Sequence, residues 1–183
     1  MTQHVLFIVS NAAVIGPKNR KTGFFFAEVA HPFDVLDKAG IAVEFASLRG
    51  GWTPYDAYDE KDPAEKAFLE SKAFRRLNRS RRLAEVDAAD FDAILVPGGL
   101  GPMVDIQRNP IVQNAVVRAW STGKLVTAVC HGPCALLGVD LGDGKPRKTI
   151  GITEFVDPRR LRSRLFRWIS ALRIGREDRS PLF

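Results

Sequence analysis

Four short apolar runs, each closed by turn-forming residues and separated by stretches of helical periodicity, constrain this chain to a parallel sheet. Residues 5–10, 41–46, 91–96 and 125–129 are those runs. β-branched segments of this length, bounded by glycine or proline, read as buried strands. Between them, residues 24–39 carry Phe26, Val29, Ala30, Phe33 and Leu36 at helical spacing and stop at Gly40. Residues 110–121 form a second helix ending near Gly123. Residues 49–62, rich in glycine, proline, aspartate and tyrosine, read as a surface loop. Residues 63–83 form a charged helical region with Arg75, Arg76, Arg79, Arg81 and Arg82 on a solvated face. A turn-rich loop at 140–148 leads to a short strand near 149–153. Strands that alternate with helices pair in parallel and are covered on both faces. The expected fold is therefore an α/β, flavodoxin-like three-layer sandwich with a mostly parallel sheet. Residues 1–157 would form that domain, with 158–183 as an arginine-rich tail.

A chain of 183 residues, 45% of them hydrophobic, suits one domain with a full core. Its two cysteines, Cys130 and Cys134, are too few and too close for a disulfide framework, which points to a reduced, cytoplasmic protein. The start lacks a basic stretch and a cleavage site, and the apolar run at 5–9 is too short to span a bilayer. The net charge of +6 is localised. Residues 158–183 hold eight arginines against Glu177 and Asp178, so the body before them is close to neutral. A neutral body argues against a nucleic-acid-binding domain.

The chemistry concentrates at Leu-Val-Thr-Ala-Val-Cys-His-Gly-Pro, residues 125–133. A strand ends at Cys130, and a helix start follows with Pro133 in its first turn. A helix amino end favours the thiolate, the nucleophilic form of a cysteine. Alone, Cys130 would as readily be a small buried hydrophobe. Of the three histidines, His4 opens a strand on the surface and His31 suits packing or hydrogen bonding. His131 is the one that the sequence holds beside Cys130. Gly98 and Gly99, after a strand, offer backbone N–H groups that with the N–H of His131 would make an oxyanion hole. No metal-ligand cluster and no phosphate-binding glycine-rich loop stands out, so no cofactor and no metal is expected.

Three segments together resemble the DJ/ThiJ/PfpI superfamily in its glyoxalase III and stress-chaperone branch. They are Lys-Thr-Gly-Phe-Phe-Phe-Ala-Glu-Val-Ala-His-Pro at 21–32, Val-Pro-Gly-Gly-Leu-Gly-Pro at 96–102, and Ala-Val-Cys-His-Gly-Pro at 128–133. The resemblance runs from Val5 to about Asp157. It implies that Cys130 is the nucleophile, His131 its histidine, and Glu28 the buried carboxyl that hydrogen-bonds the thiol. A carboxyl held against a thiolate should be protonated, since its charge would otherwise oppose that of the sulfur. The family's third acid, which orients the histidine, corresponds to Asp157, with Glu154 as the competitor. Leu100 stands where many members carry histidine. Nothing after Pro158 resembles the family. The tail reads as a basic amphipathic helix that docks divergently, meets a membrane surface or partner, or reflects a truncated or frame-shifted ending. The last is favoured by the arginine content.

The resemblance implies a cofactor-independent enzyme on small aldehydes or ketoaldehydes, converting methylglyoxal to lactate, with protein deglycase activity as an extension and a homodimer as the expected assembly. The alternative is a redox-responsive chaperone in which Cys130 is oxidised and unfolded proteins are the clients. An amidotransferase-like hydrolase is disfavoured, because no histidine follows His131, and a peptidase-like hydrolase stays open without a signal in the sequence.

Overall fold

The apolar runs pair in parallel, and their order in the sheet reverses at the first strand. A computed structural model describes residues 3–142. Strand β1 (His4–Val9) pairs on one side with β2 (Ala42–Ser47), in register from His4 opposite Ala42 to Val9 opposite Ser47. The two-residue β3 (Arg81–Arg82) joins the outer edge of β2 at Ala46 and Ser47. On its other side β1 pairs with β4 (Ala93–Val96), which pairs in turn with β5 (Leu125–Ala128). The order β3-β2-β1-β4-β5 places a crevice between the carboxyl ends of β1 and β4, where open α/β sheets bind ligands.

Both faces of the sheet are covered, which is why the runs are continuously apolar rather than alternating. Leu6 and Ile8 of β1 join Ile94, Val112 and Val116 in one core layer. Val5, Phe7 and Val9 of the same strand point the other way, into a layer with Val29, Phe45 and Phe68. Helix α5 (Pro110–Ser121), capped by the Asn109 side chain on the Ile111 N–H, covers the first layer. Helices α1 (Ala27–Lys38), α2 (Pro63–Glu70) and α3 (Lys72–Leu77) cover the second.

Four expectations are corrected. Residues 24 and 25 are not helical. Phe24–Phe25 is a short parallel strand against Tyr55–Asp56, because the Phe24 and Phe26 N–H groups bond the carbonyls of Pro54 and Asp56. The loop at 49–62 is thus partly internal, with Thr53 buried. The charged helical region breaks at Ser71, whose extended backbone ends α2 and whose hydroxyl caps the Phe74 N–H to start α3. After Cys130 comes only a 3₁₀ turn, Gly132–Leu136, in place of an α-helix. The expected strand near 149–153 and the tail at 158–183 lie outside the described residues, as does most of the loop at 140–148.

Phe26 links this architecture to the site. It is fully buried, precedes α1, and lies 4.8 Å from the Tyr55 ring, 5.1 Å from Tyr58 and 5.8 Å from Phe68 by centroid. Removing it leaves a cavity at the base of the helix that carries Glu28. Phe26→Ala is expected to cost about 3–5 kcal/mol of unfolding free energy, read from urea denaturation. A loss below about 1 kcal/mol would show that this aromatic cluster can collapse around the gap.

Candidate active site

Cys130 is thrown out of the sheet by its own backbone. The ladder continues past β5 through the Val129 N–H to the Val96 carbonyl, 3.1 Å. Cys130 then adopts φ +55°, in the left-handed region that non-glycine residues rarely occupy. The Gly132 N–H closes the bend on the Val129 carbonyl at 2.7 Å. Such strain persists only where surrounding bonds hold it, and it often marks a working site. The result is an exposed sulfur at the carboxyl edge of the sheet. The bend also folds the next side chain back, so that His131 Nδ1 lies 3.2 Å from the Cys130 sulfur.

Glu28 arrives from the first turn of α1. Its Oε2 accepts the Gly98 N–H at 2.6 Å, and its carboxyl is a hydrogen-bond partner of the Cys130 thiol. Gly98 is a glycine for steric reasons: a Cβ there would sit 2.7 Å from the Cys130 Cβ and 2.8 Å from Glu28 Oε2. Three segments distant in sequence therefore meet at one point. They are stitched together by the Phe25 N–H to the Gly98 carbonyl, 3.0 Å, and the Gly101 N–H to the Gly23 carbonyl, 2.9 Å. The backbone N–H groups of Gly99 and His131 favour the thiolate. The Gly98 N–H does not, because Glu28 takes it. The Gly98 N–H is therefore not free to join Gly99 and His131 in the expected oxyanion hole.

Burial pushes the Glu28 carboxyl above its ordinary range, against the pull of the Gly98 N–H, the Cys130 contact and the His131 charge. The Cys130 thiol is also pushed up, first by burial and then by negative charge on Glu28, while the N–H groups of Gly99 and His131 pull it down. This corrects the expectation of a thiolate favoured by a helix amino end, since a 3₁₀ turn of five residues brings little dipole. Protonating Glu28 removes the opposing charge and supplies an O–H donor to the sulfur.

Cys134 is the contrasting case. It is buried, donates its S–H to the Pro102 carbonyl at 3.4 Å, and its thiol is pushed up to about 12 by burial and by the Asp105 charge. It is inert packing. Asp105 closes helix α4 (Pro102–Asp105) and belongs to a polar network that the sequence reading passed over. Its carboxylate accepts the Ser10 hydroxyl and the Asn11 N–H, both at 2.7 Å, and the Asn11 carbonyl accepts Arg49 at 2.8 Å. This ties the end of β1 to the helix following Gly98 and Gly99. The available signal was Ser-Asn, two polar residues ending an otherwise apolar strand.

Asp157 and its competitor Glu154 lie outside the described residues. His4 is exposed, as expected, and His31 bonds Asp62 across α1 and α2 at 2.9 Å. With Glu65 these two make a group with metal-ligand spacing, all ligand atoms within 4.8 Å. Their oxygens already serve protein donors: Asp62 caps the Ala64 and Glu65 N–H groups, and Glu65 accepts the Asp59 N–H. Among the described residues no helix is long and apolar enough to cross a membrane.

The family model for DJ-1/PfpI matches residues 21–151, which include Glu28, Gly98, Cys130 and His131. The chain belongs to the DJ-1/PfpI family. It is 29% identical over 161 residues to the glutathione-independent glyoxalase HSP31 of Saccharomyces cerevisiae, a match covering 84% of this chain and 68% of that protein. It is 30% identical over 164 residues to the protein/nucleic acid deglycase HchA of Escherichia coli O157:H7, covering 84% of this chain and 57% of the relative. The crystal structure of glyoxalase III from Candida albicans superposes with a TM-score of 0.67 at 25% identity, over 79% of this chain and 64% of that one. The chain thus spans little more than half the length of the bacterial relative and about two-thirds of the two fungal proteins.

Glu28 tests the electrostatics directly. A carboxyl whose folded pKa is raised destabilises the fold once pH exceeds that pKa, and costs nothing below its unfolded pKa, where both states are protonated. Glu28→Gln retains an acceptor for Gly98 and gains an N–H donor toward the sulfur. It is expected to raise the melting temperature at pH 8 by about 2–4 °C per kcal/mol recovered, with the gain vanishing below about pH 4. Melts at the two pH values decide it; a larger gain at acid pH would mean that the folded site favours the ionised carboxyl.

Proposed function

We propose that this chain is a cofactor-independent cysteine enzyme that acts on small reactive carbonyls, in the manner of glyoxalase III. The observation that carries the reading is the 3.2 Å contact between the Cys130 sulfur and His131 Nδ1, with the Glu28 carboxyl held beside them by the Gly98 N–H at 2.6 Å. A nucleophile within reach of a base, beside a carboxyl that resists ionisation, suits addition to an aldehyde. The glyoxalase and deglycase names of the relatives point to the same substrate class.

In the proposed reaction the Cys130 thiol transfers its proton to His131, and the sulfur adds to the aldehyde carbon of methylglyoxal. The new alkoxide takes a proton, giving a hemithioacetal, with the N–H groups of Gly99 and His131 beside the developing charge. His131 then removes the hydrogen from the former aldehyde carbon. The electron pair moves through an enediolate, and the proton returns to the neighbouring carbon. The former aldehyde carbon is oxidised to a thioester and its neighbour reduced to an alcohol, so no external redox partner enters. Water cleaves the thioester, releasing lactate and the free thiol. Asp157 would orient His131 in this scheme. A carbinolamine formed by the same aldehyde on a protein amine would present the equivalent carbon, which is how deglycase activity would arise.

Methylglyoxal supplied without glutathione should yield lactate. Cys130→Ala is expected to abolish turnover, and His131→Ala to lower it by about 10²–10⁴-fold. Equal lactate formation by wild type and Cys130→Ala would eliminate the proposal. A second reading, an oxidative sensor, is favoured by the exposure of the sulfur under two N–H donors. It expects sulfinic acid confined to Cys130 after mild peroxide, with no lactate formed.

A further inference from the structure

Residues 71–82, Ser-Lys-Ala-Phe-Arg-Arg-Leu-Asn-Arg-Ser-Arg-Arg, hold six cations and no acid. All six are exposed, as expected of a solvated face, and five of them converge. Lys72, Arg75, Arg76 and Arg79, together with Arg81 of β3, rim a cavity of about 640 Å³ whose floor is Ala42, Val43 and Phe45 of β2. Glu44 is the one acid lining it, and it is paired with Arg81 at 2.7 Å. Among the described residues, Lys72, Arg75, Arg76 and Arg79 form no ion pair with a carboxylate. Four like charges are thus gathered around a concave apolar floor, an arrangement that an anionic occupant would relieve.

The floor is also an open strand edge. β3 pairs with β2 at Ala46 and Ser47, a ladder that takes the Phe45 carbonyl, so on the outer side only the groups ahead of that carbonyl pair with no strand among the described residues. The Ala42 N–H donates to the Gln3 carbonyl at 2.9 Å, which turns its backbone groups inward toward β1. By strand alternation both groups of Val43 and the N–H of Phe45 turn outward, toward the cavity. Four residues of edge span about 13 Å, enough to pair a short extended segment. Cations alone would merely guard an edge against self-association. Here they stand back from it, leaving a groove with a backbone template at its base.

We propose that this groove binds an acidic polypeptide segment in extended form, added as a strand to the edge of β2 beside β3. Its main chain would pair with Val43 and the Phe45 N–H, and its carboxylates would meet Arg75, Arg76 and Arg79. A second copy of this chain is a poor occupant, because the groove and the arginine-rich residues 158–183 carry the same sign. Nucleic acid is a poorer fit than peptide, because the floor's aromatic side chain, Phe45, is only 3% exposed and offers no stacking surface. The groove lies at the amino ends of β1 and β2, and Cys130 lies past the carboxyl end of β5, so the site is separate from the chemistry.

The test is fluorescence anisotropy with a labelled, acetylated peptide alternating glutamate and valine, titrated with the full chain at low salt. Saturable binding is expected. The triple variant Arg75→Glu, Arg76→Glu, Arg79→Glu should weaken it by about tenfold or more, while leaving lactate formation from methylglyoxal unchanged. The same peptide N-methylated at alternate residues, which keeps its charge but not its strand donors, should also lose about tenfold; this comparison uses unaltered protein and so is independent of any folding defect. No saturable binding, equal binding of methylated and parent peptides, or tighter binding of a single-stranded oligodeoxynucleotide at the same salt would each overturn the proposal.

Discussion

A single hydrogen bond holds the candidate site together: the Gly98 N–H donated to Glu28 Oε2 at 2.6 Å. It joins the first turn of α1 to the loop after β4, two segments seventy residues apart, directly beneath the cysteine bend. Three further features depend on it. It brings a carboxyl into a partly buried place where ionisation is disfavoured. It permits only glycine at position 98, since any side chain would collide with Cys130 and Glu28 together. It also removes the Gly98 N–H from the set that faces the sulfur, leaving Gly99 and His131.

The two cysteines show how far placement outweighs residue type. Cys134, four positions on, is buried against α4 with Asp105 nearby, and its thiol is pushed up to about 12. Cys130 has the same side chain on a left-handed bend, with His131 at 3.2 Å and two N–H donors on its sulfur. Reactivity needs accessible surface and a base within reach, and only Cys130 has either. The Ser10, Asn11, Asp105 and Arg49 network beneath holds the strand end and the loop that frame this position.

Much of this was legible in the residues. The alternation of runs announced the parallel sheet, and Cys-His-Gly-Pro after a strand marked the working edge. Glu28 was found only through resemblance, because a glutamate among Phe24, Phe26 and Val29 looks the same in sequence whether it faces water or sulfur. The α-helix expected after Cys130 was read from residues that suit a helix start. In the fold those residues close a short 3₁₀ turn that packs against α4 and α5. The arginines at 75, 76, 79 and 81 are exposed, as a charged helical stretch suggests. Their convergence on one groove depends on the break at Ser71 and on where β3 meets β2.

The sequence by itself determined the layers, the strand order's raw material and the identity of the candidate nucleophile's neighbour. Apolar periodicity and adjacency are local properties that no later packing can rewrite. Tertiary structure decided which carboxyl reaches the sulfur, which amide groups remain free to face it, and where the cations gather. Those are contacts between segments tens of residues apart. Their energies depend on burial and distance, quantities that exist only once the two faces of the sheet have been covered.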